Sequence, residues 1–174
     1  RSFSSNKKIV SKIGEFCIYE FHKNKIGTIT KHIPGHGLSK SDSHIKLPLV
    51  NNTFKELINN DFIVFKGKKS LFTMTSHIIY KNIDKLYPTT HSKKILNMIR
   101  DKIGFKNIII SDDISMKALK YSLSMNTRLA FKSGCNLVMH CNGNMSEMIN
   151  VAKNSPYISH FILKKTYQFY NIIS

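Results

Sequence analysis

Asn107-Ile108-Ile109-Ile110-Ser111-Asp112-Asp113 decides the fold. Three consecutive isoleucines between polar residues leave no alternation of wet and dry faces, the pattern of a strand buried on both sides. Towards the C-terminus the spacing predicts a helix around 117–132 ending at Gly134, a strand over 135–140, and helical segments at about 144–154 and 157–172. Towards the N-terminus it predicts a helix over 92–103 closed by Gly104, where a helix C′ glycine belongs, and a strand over 70–75. Before these come a helix at about 53–66, a strand at 26–31, and a first helix over 6–22 behind the capping-type residues Ser4 and Ser5. Four strands each followed by a helix predict a parallel α/β protein. A full (β/α)8 barrel needs about 250 residues, so 174 residues hold only part of one, read here as a single domain over 1–174. A doubly wound sheet competes, but no GxGxxG follows any strand.

The composition narrows the partners. Lys and Arg total 27 against 10 Asp and Glu, a formal charge of +17, yet 24 of the cations are Lys and three are Arg (Arg1, Arg100, Arg128). With 24 Ile, 16 Asn and three Ala beside them, this is a bias spread over the whole surface. A nucleic-acid reader clusters Arg for bidentate contacts, so no nucleic-acid partner is expected. The apolar stretches are short and interrupted by Lys or Asn, so no membrane span is expected either. Cys17, Cys135 and Cys141 lack CxxC spacing, against a disulfide scaffold or zinc ribbon. A cytoplasmic chain follows as the expectation. It opens on Arg1 without the apolar core of a signal peptide, and further sequence is expected upstream.

In parallel α/β folds ligands bind at the C-terminal strand ends, and each end here is polar. The first strand runs into Lys31-His32-Ile33-Pro34-Gly35-His36-Gly37, the second into Ser76-His77, the third into Asp112-Asp113 and the fourth into Cys141-Asn142. The paired acids read either as a loop or N-cap device or as a nucleophile or metal ligand. Pro34, Gly35 and Gly37 exclude a helix, so the i, i+4 spacing of His32 and His36 is not a helical metal face. A metal held by His32, His36, His44, His77 and the acid pair stays open as the alternative chemistry. The two glycines fit a tight turn or a close backbone approach. In Asp42-Ser43-His44 the i, i+2 spacing places both outer side chains on one side of an extended loop, where Asp42 can orient the imidazole and raise its pKa.

These motifs resemble glycoside hydrolase family 3, in particular its bacterial β-N-acetylglucosaminidases of the NagZ type. Lys31 to Gly37, Asp42-Ser43-His44 and Leu47-Pro48 are similar to the signature KHFPGHG…DSH…LP. Met74-Thr75-Ser76-His77 with Ile83-Asp84 resembles MTAH…D, and Leu96 to Phe105 followed by Ser111 to Ala118 resembles LR…GF…SDDLSMKA. Gly134 to Met139 follows the last AGCD-type strand, with Asn136 where the family often has Asp, and Arg1-Ser2-Phe3 matches RSF. Ile33 replaces the family's Phe.

The resemblance implies the C-terminal part of a TIM-type barrel, about four βα units, whose early strands lie before Arg1. It implies a retaining β-N-acetylhexosaminidase with Asp112 as nucleophile and His44, held by Asp42, as proton donor and acceptor. Arg1, Lys31 and His32 would grasp the sugar. The implied substrate is a terminal β-linked N-acetylglucosamine on muropeptides of peptidoglycan recycling, with no metal and no cofactor. The competing expectations are an inactive product of a split or decayed gene, a metal-dependent barrel hydrolase, and a basic nucleic-acid or anionic-surface binder. With half the barrel absent, the faces of Ile108 to Ile110 and Leu137 to Met139 are expected to lie partly open, leaving the 174 residues alone prone to self-association.

Overall fold

The computed structural model describes residues 3–39 and 47–174. The chain begins with helix α1 (Lys7–Lys23), capped by the Asn6 side chain, which accepts from the Lys8 N–H. Strand β1 (Ile29–Ile33) follows, then the two-residue strand β2 (Leu49–Val50) and helix α2 (Phe54–Asn60). Thr53 and Glu56 close a reciprocal capping box at the start of α2. After β3 (Phe72–Thr75) and β4 (Ile79–Tyr80) comes α3 (Lys93–Met98), which widens into a π turn at Ile99–Ile103 and stops at Gly104, φ 80°. Then come β5 (Ile108–Asp113), α4 (Leu123–Ser133), β6 (Leu137–Met139), α5 (Met145–Lys153) and α6 (His160–Ile173).

The main sheet is β1-β3-β5-β6, every neighbouring pair parallel, and β2 pairs with β4 apart from it. The predicted parallel α/β alternation is the observed one. Of the boundaries that differ, three stand out. Pairing with β3 matches Ile29 to Phe72 and Ile33 to Thr75, so the first strand reaches Ile33 and carries Lys31 and His32 within it. The helix expected at 117–132 starts only after Ser122, whose hydroxyl caps α4. The helix expected at 53–66 ends at Asn60 and gives way to a 3-10 turn over Phe62–Phe65.

Register assigns the faces. Ile109 points with Thr73 into the helix-covered side, where Leu57, Phe62, Ile95, Leu96 and Ile99 form the larger core. Ile108 and Ile110 point the other way, with Phe72 and Leu137. That second face was expected to be open. It is not, because α6 lays Ile162 and Phe169 against Leu71, Ile108 and Ile110, leaving these isoleucines 0% and 7% exposed. The Phe169 ring stands 4.9 Å from that of Phe72. Leu137 to Met139 are half-buried, nearer to the expectation.

At the amino-terminal ends of β5 and β6 one guanidinium ties the sheet together. Arg100 donates to the carbonyls of Phe105 (2.9 Å) and Asn107 (2.6 Å) and to Asn136 Oδ1 (2.8 Å), which also accepts from the Ile109 N–H. Burial holds this guanidinium below its ordinary pKa, and its side-chain acceptor is an uncharged amide. Asn136→Asp is therefore expected to raise stability at pH 7 by about 1 kcal/mol, the gain of a charge-assisted over a neutral bond less the desolvation of the new carboxylate. Pairing would depress that carboxylate's pKa, so the gain is present above the unfolded value and lost as the pH falls through the folded one. Urea midpoints of both proteins at pH 7 and pH 3 check it; an equal difference at both pH values refutes the pairing.

Candidate active site

The C-terminal strand ends place the polar residues together. Asp112 is the last residue but one of β5, its side chain 18% exposed, and Oδ2 lies 3.5 Å from Nε2 of His32 on β1. Burial pushes the His32 pKa down to about 4, against the pull of Asp112, with Lys31, His36 and His77 adding to the lowering. At neutral pH the contact is thus a neutral imidazole beside a carboxylate, not an ion pair. The β1–β3 register shifts between Lys31 and Ile33, and the Lys31–His32 and Ile33–Pro34 peptides are cis. The His36 ring centroid is 5.7 Å from that of His32.

The two adjacent acids have separate jobs. Asp113 Oδ1 accepts from both the N–H and the hydroxyl of Ser115, so this side chain folds back to hold the turn after the strand. Asp112 Oδ1 accepts the Asp113 N–H at 2.9 Å, leaving Oδ2 turned to His32 and the open rim. The turn-holding reading thus fits Asp113, while Asp112 takes no part in that turn beyond the bond from the Asp113 N–H.

Behind them a buried relay fixes the backbone. His77 is fully buried, and its Nε2 lies 3.0 Å from the Asp113 carbonyl, which can only accept; Nε2 therefore carries the proton. Nδ1 must then accept from the Thr90 hydroxyl at 2.8 Å, and Thr75 lies 2.7 Å further back on the same hydroxyl. Burial lowers the His77 pKa, which keeps this tautomer neutral. His77, read from sequence as a polar rim residue, is here a brace for β5. Thr75 and Thr90 had no sequence signal beyond ordinary hydroxyls.

Under the loop after β1 lies Asp61, a residue the sequence reading passed over. Its carboxylate accepts the Gly37 N–H at 3.1 Å, and the Tyr80 hydroxyl donates to the Gly35 carbonyl at 2.7 Å. The signal was present: one of ten acids stands in the apolar run Leu57-Ile58-Asn59-Asn60-Asp61-Phe62-Ile63-Val64-Phe65. The close approach foreseen for Gly35 and Gly37 is to this side chain. A Cβ on Gly35 would lie 2.3 Å from its carboxyl carbon.

On the neighbouring strand end, His140 Nε2 stands 2.7 Å from Glu147 Oε2, to which Asn142 also donates. Partial burial, together with the charges of Asp113 and Asp112, pushes the Cys141 thiol up. His32 is thus brought beside Asp112 across the end of β3, Lys31 precedes it on β1 with its side chain exposed, and Arg1, Asp42 and His44 lie outside the described residues. Among the described residues no three His, Cys, Asp or Glu side chains are arranged to hold a metal ion, and no helix is long and apolar enough to cross a membrane.

Buried histidines give the fold an acid limit. His91 is 4% exposed, its Nε2 lacks a partner among the described residues, and burial lowers its pKa to about 4. A base whose folded pKa is depressed stabilises the fold above its ordinary value of 6.5, and that stability is lost as the pH falls towards about 4. Up to about 3 kcal/mol follows from a shift of this size. Denaturant titrations from pH 7 to pH 4 should show the loss, flattened in His91→Gln; parallel curves for both proteins would refute it.

The family model described as the glycosyl hydrolase family 3 N terminal domain matches residues 1–162. The chain belongs to glycosyl hydrolase family 3. The beta-hexosaminidase of Hydrogenovibrio crunogenus is 32% identical over 150 residues, covering 82% of this chain and 41% of that one. The beta-hexosaminidase of Shewanella frigidimarina is 30% identical over 148 residues, covering 82% and 43%. The crystal structure of native NagZ from Neisseria gonorrhoeae superposes with a TM-score of 0.83 at 26% identity, over 97% of this chain and 49% of that one. The chain therefore spans about two fifths of the length of the curated relatives it matches. For this family 3 chain, the four parallel βα units are part of a TIM-type barrel, and the rim built from His32, Asp112 and the loop over Asp61 is at the end where such barrels do chemistry.

Proposed function

We propose that this family 3 chain supplies the nucleophile side of a retaining β-N-acetylhexosaminidase. The observation that carries the reading is the Asp112 carboxylate: it lies at the C-terminal end of β5, keeps one oxygen towards the rim, and faces a neutral imidazole that does not neutralise it. In the first step Asp112 attacks the anomeric carbon, forming a glycosyl ester as the aglycone oxygen leaves with a proton. In the second, water attacks that ester and the sugar departs with its original anomeric configuration. His44, oriented by Asp42, gives the first proton and takes the second. A histidine here replaces the second carboxylate usual in retaining glycosidases.

Lys31, His32 and Arg1 are assigned to the hydroxyl and acetamido groups of the sugar. His32, neutral and 3.5 Å from Asp112, suits a hydrogen bond to a sugar hydroxyl next to the attacked carbon. The substrate is a terminal β-linked N-acetylglucosamine, carried on a muropeptide in the cytoplasmic setting of peptidoglycan recycling. The relatives' names, beta-hexosaminidase in both cases, support the substrate class. The reaction needs no metal and no cofactor.

Hydrolysis of nitrophenyl N-acetyl-β-glucosaminide by the active protein, followed by proton NMR, tests it. The β-anomer of the sugar should appear first. Initial release of the α-anomer, or turnover abolished by a chelator, overturns the mechanism.

A further inference from the structure

Asp61 is in a place that stability alone does not favour. It is buried at the C-terminal end of α2, where the helix dipole disfavours an anion. Burial also raises its pKa, and Oδ2 is enclosed without a partner among the described residues. What it touches is the backbone of the loop after β1. Oδ1 accepts from Gly37, a Cβ on Gly37 would come within 3.1 Å of it, and one on Gly35 would run into the carboxyl group itself. From below, Tyr80, itself wedged edge-on against Phe62 at 5.2 Å, fixes the Gly35 carbonyl. The loop is held through both its N–H and C=O groups, between His32 beside Asp112 and the segment that leads to His44.

We propose that Asp61 is a positioning residue of the reaction: its carboxylate seats the backbone around Gly35–Gly37, the part of the chain that leads in sequence from His32 to His44. The inference rests on the acid/base reading given above. A misplacement of about 1 Å in a reacting group costs on the order of 100-fold, and an acid out of place matters most when the leaving group is poor. Asp61→Ala should therefore lower kcat on an N-acetylglucosaminyl disaccharide on the order of 100-fold and that on the nitrophenyl glycoside far less. Asp61→Asn, whose amide oxygen still accepts from Gly37, should retain most of both.

Two measurements judge the seating without any activity. Amide hydrogen exchange around Gly35–Gly37 should accelerate in Asp61→Ala and stay slow in Asp61→Asn. Gly35→Ala should lower the denaturant midpoint sharply in the parent protein and little in the Asp61→Ala background, because the atoms it strikes are then gone. Unchanged exchange in Asp61→Ala, or the same Gly35→Ala shift in both backgrounds, overturns the seating. Equal losses on both substrates overturn the link to acid/base chemistry. A parent protein that hydrolyses neither substrate defeats the functional reading, while the exchange and stability arms still decide whether Asp61 seats the loop.

Discussion

Asp112→Ala is expected to remove turnover on every substrate, with kcat lower by on the order of 10⁵-fold, the scale seen when a covalent nucleophile is deleted. Asp112→Asn should be nearly as poor, since a neutral amide neither attacks the anomeric carbon nor balances the positive charge that grows there. The informative contrast is Asp113→Ala one residue on. That change removes the acceptor for the Ser115 N–H and hydroxyl and should show in stability more than in chemistry. Steady-state rates and urea midpoints of the three variants separate the roles. Retained turnover in Asp112→Ala, or an Asp113→Ala variant that is equally dead yet fully stable, would show that the two acids have been assigned the wrong way round.

The second large effect belongs to His44. On a disaccharide, whose leaving oxygen needs a proton as it departs, His44→Ala should lower kcat on the order of 10³-fold. On a nitrophenyl glycoside the leaving group departs unaided, so glycosylation should barely change and the slower, base-dependent hydrolysis of the glycosyl ester becomes rate-limiting. A burst of nitrophenol is then expected before the steady rate. Asp42→Ala should give a weaker version and move the acid limb of the rate profile to lower pH, because the carboxylate that favours the imidazolium is gone. Identical losses on the two substrates would argue that His44 does not transfer the proton.

The parallel alternation and the polar strand ends were legible because they are local. Three isoleucines in a row and glycines past helix ends depend on neighbours in sequence. The family motifs added what single residues do not carry, the assignment of Asp112 over Asp113. Locally the two acids were equivalent, and the folded turn, with Ser115 drawing Asp113 aside, gives them different hydrogen bonds. Asp61 and the bracing role of His77 stayed hidden for the opposite reason. Their partners are Gly37, 24 positions away, and Asp113, 36 positions away, and no periodicity reports a hydrogen bond across such distances. The stop of α3 at Gly104 was legible from that glycine, while the π turn before it was not, because it has the same composition as the helix it ends.

Helix α6 carries a consequence for synthesis. Ile108 and Ile110 emerge from the ribosome well before Ile162 and Phe169, the side chains that dry their face. At ordinary elongation rates the interval is on the order of seconds, long beside the microseconds in which a strand pair forms. For that time the nascent chain displays a β-branched, uncharged segment with half its apolar surface wet, the composition that recruits chaperones or neighbouring chains. A codon slowed between α5 and α6 should therefore lower the yield of soluble protein without altering a single residue of it.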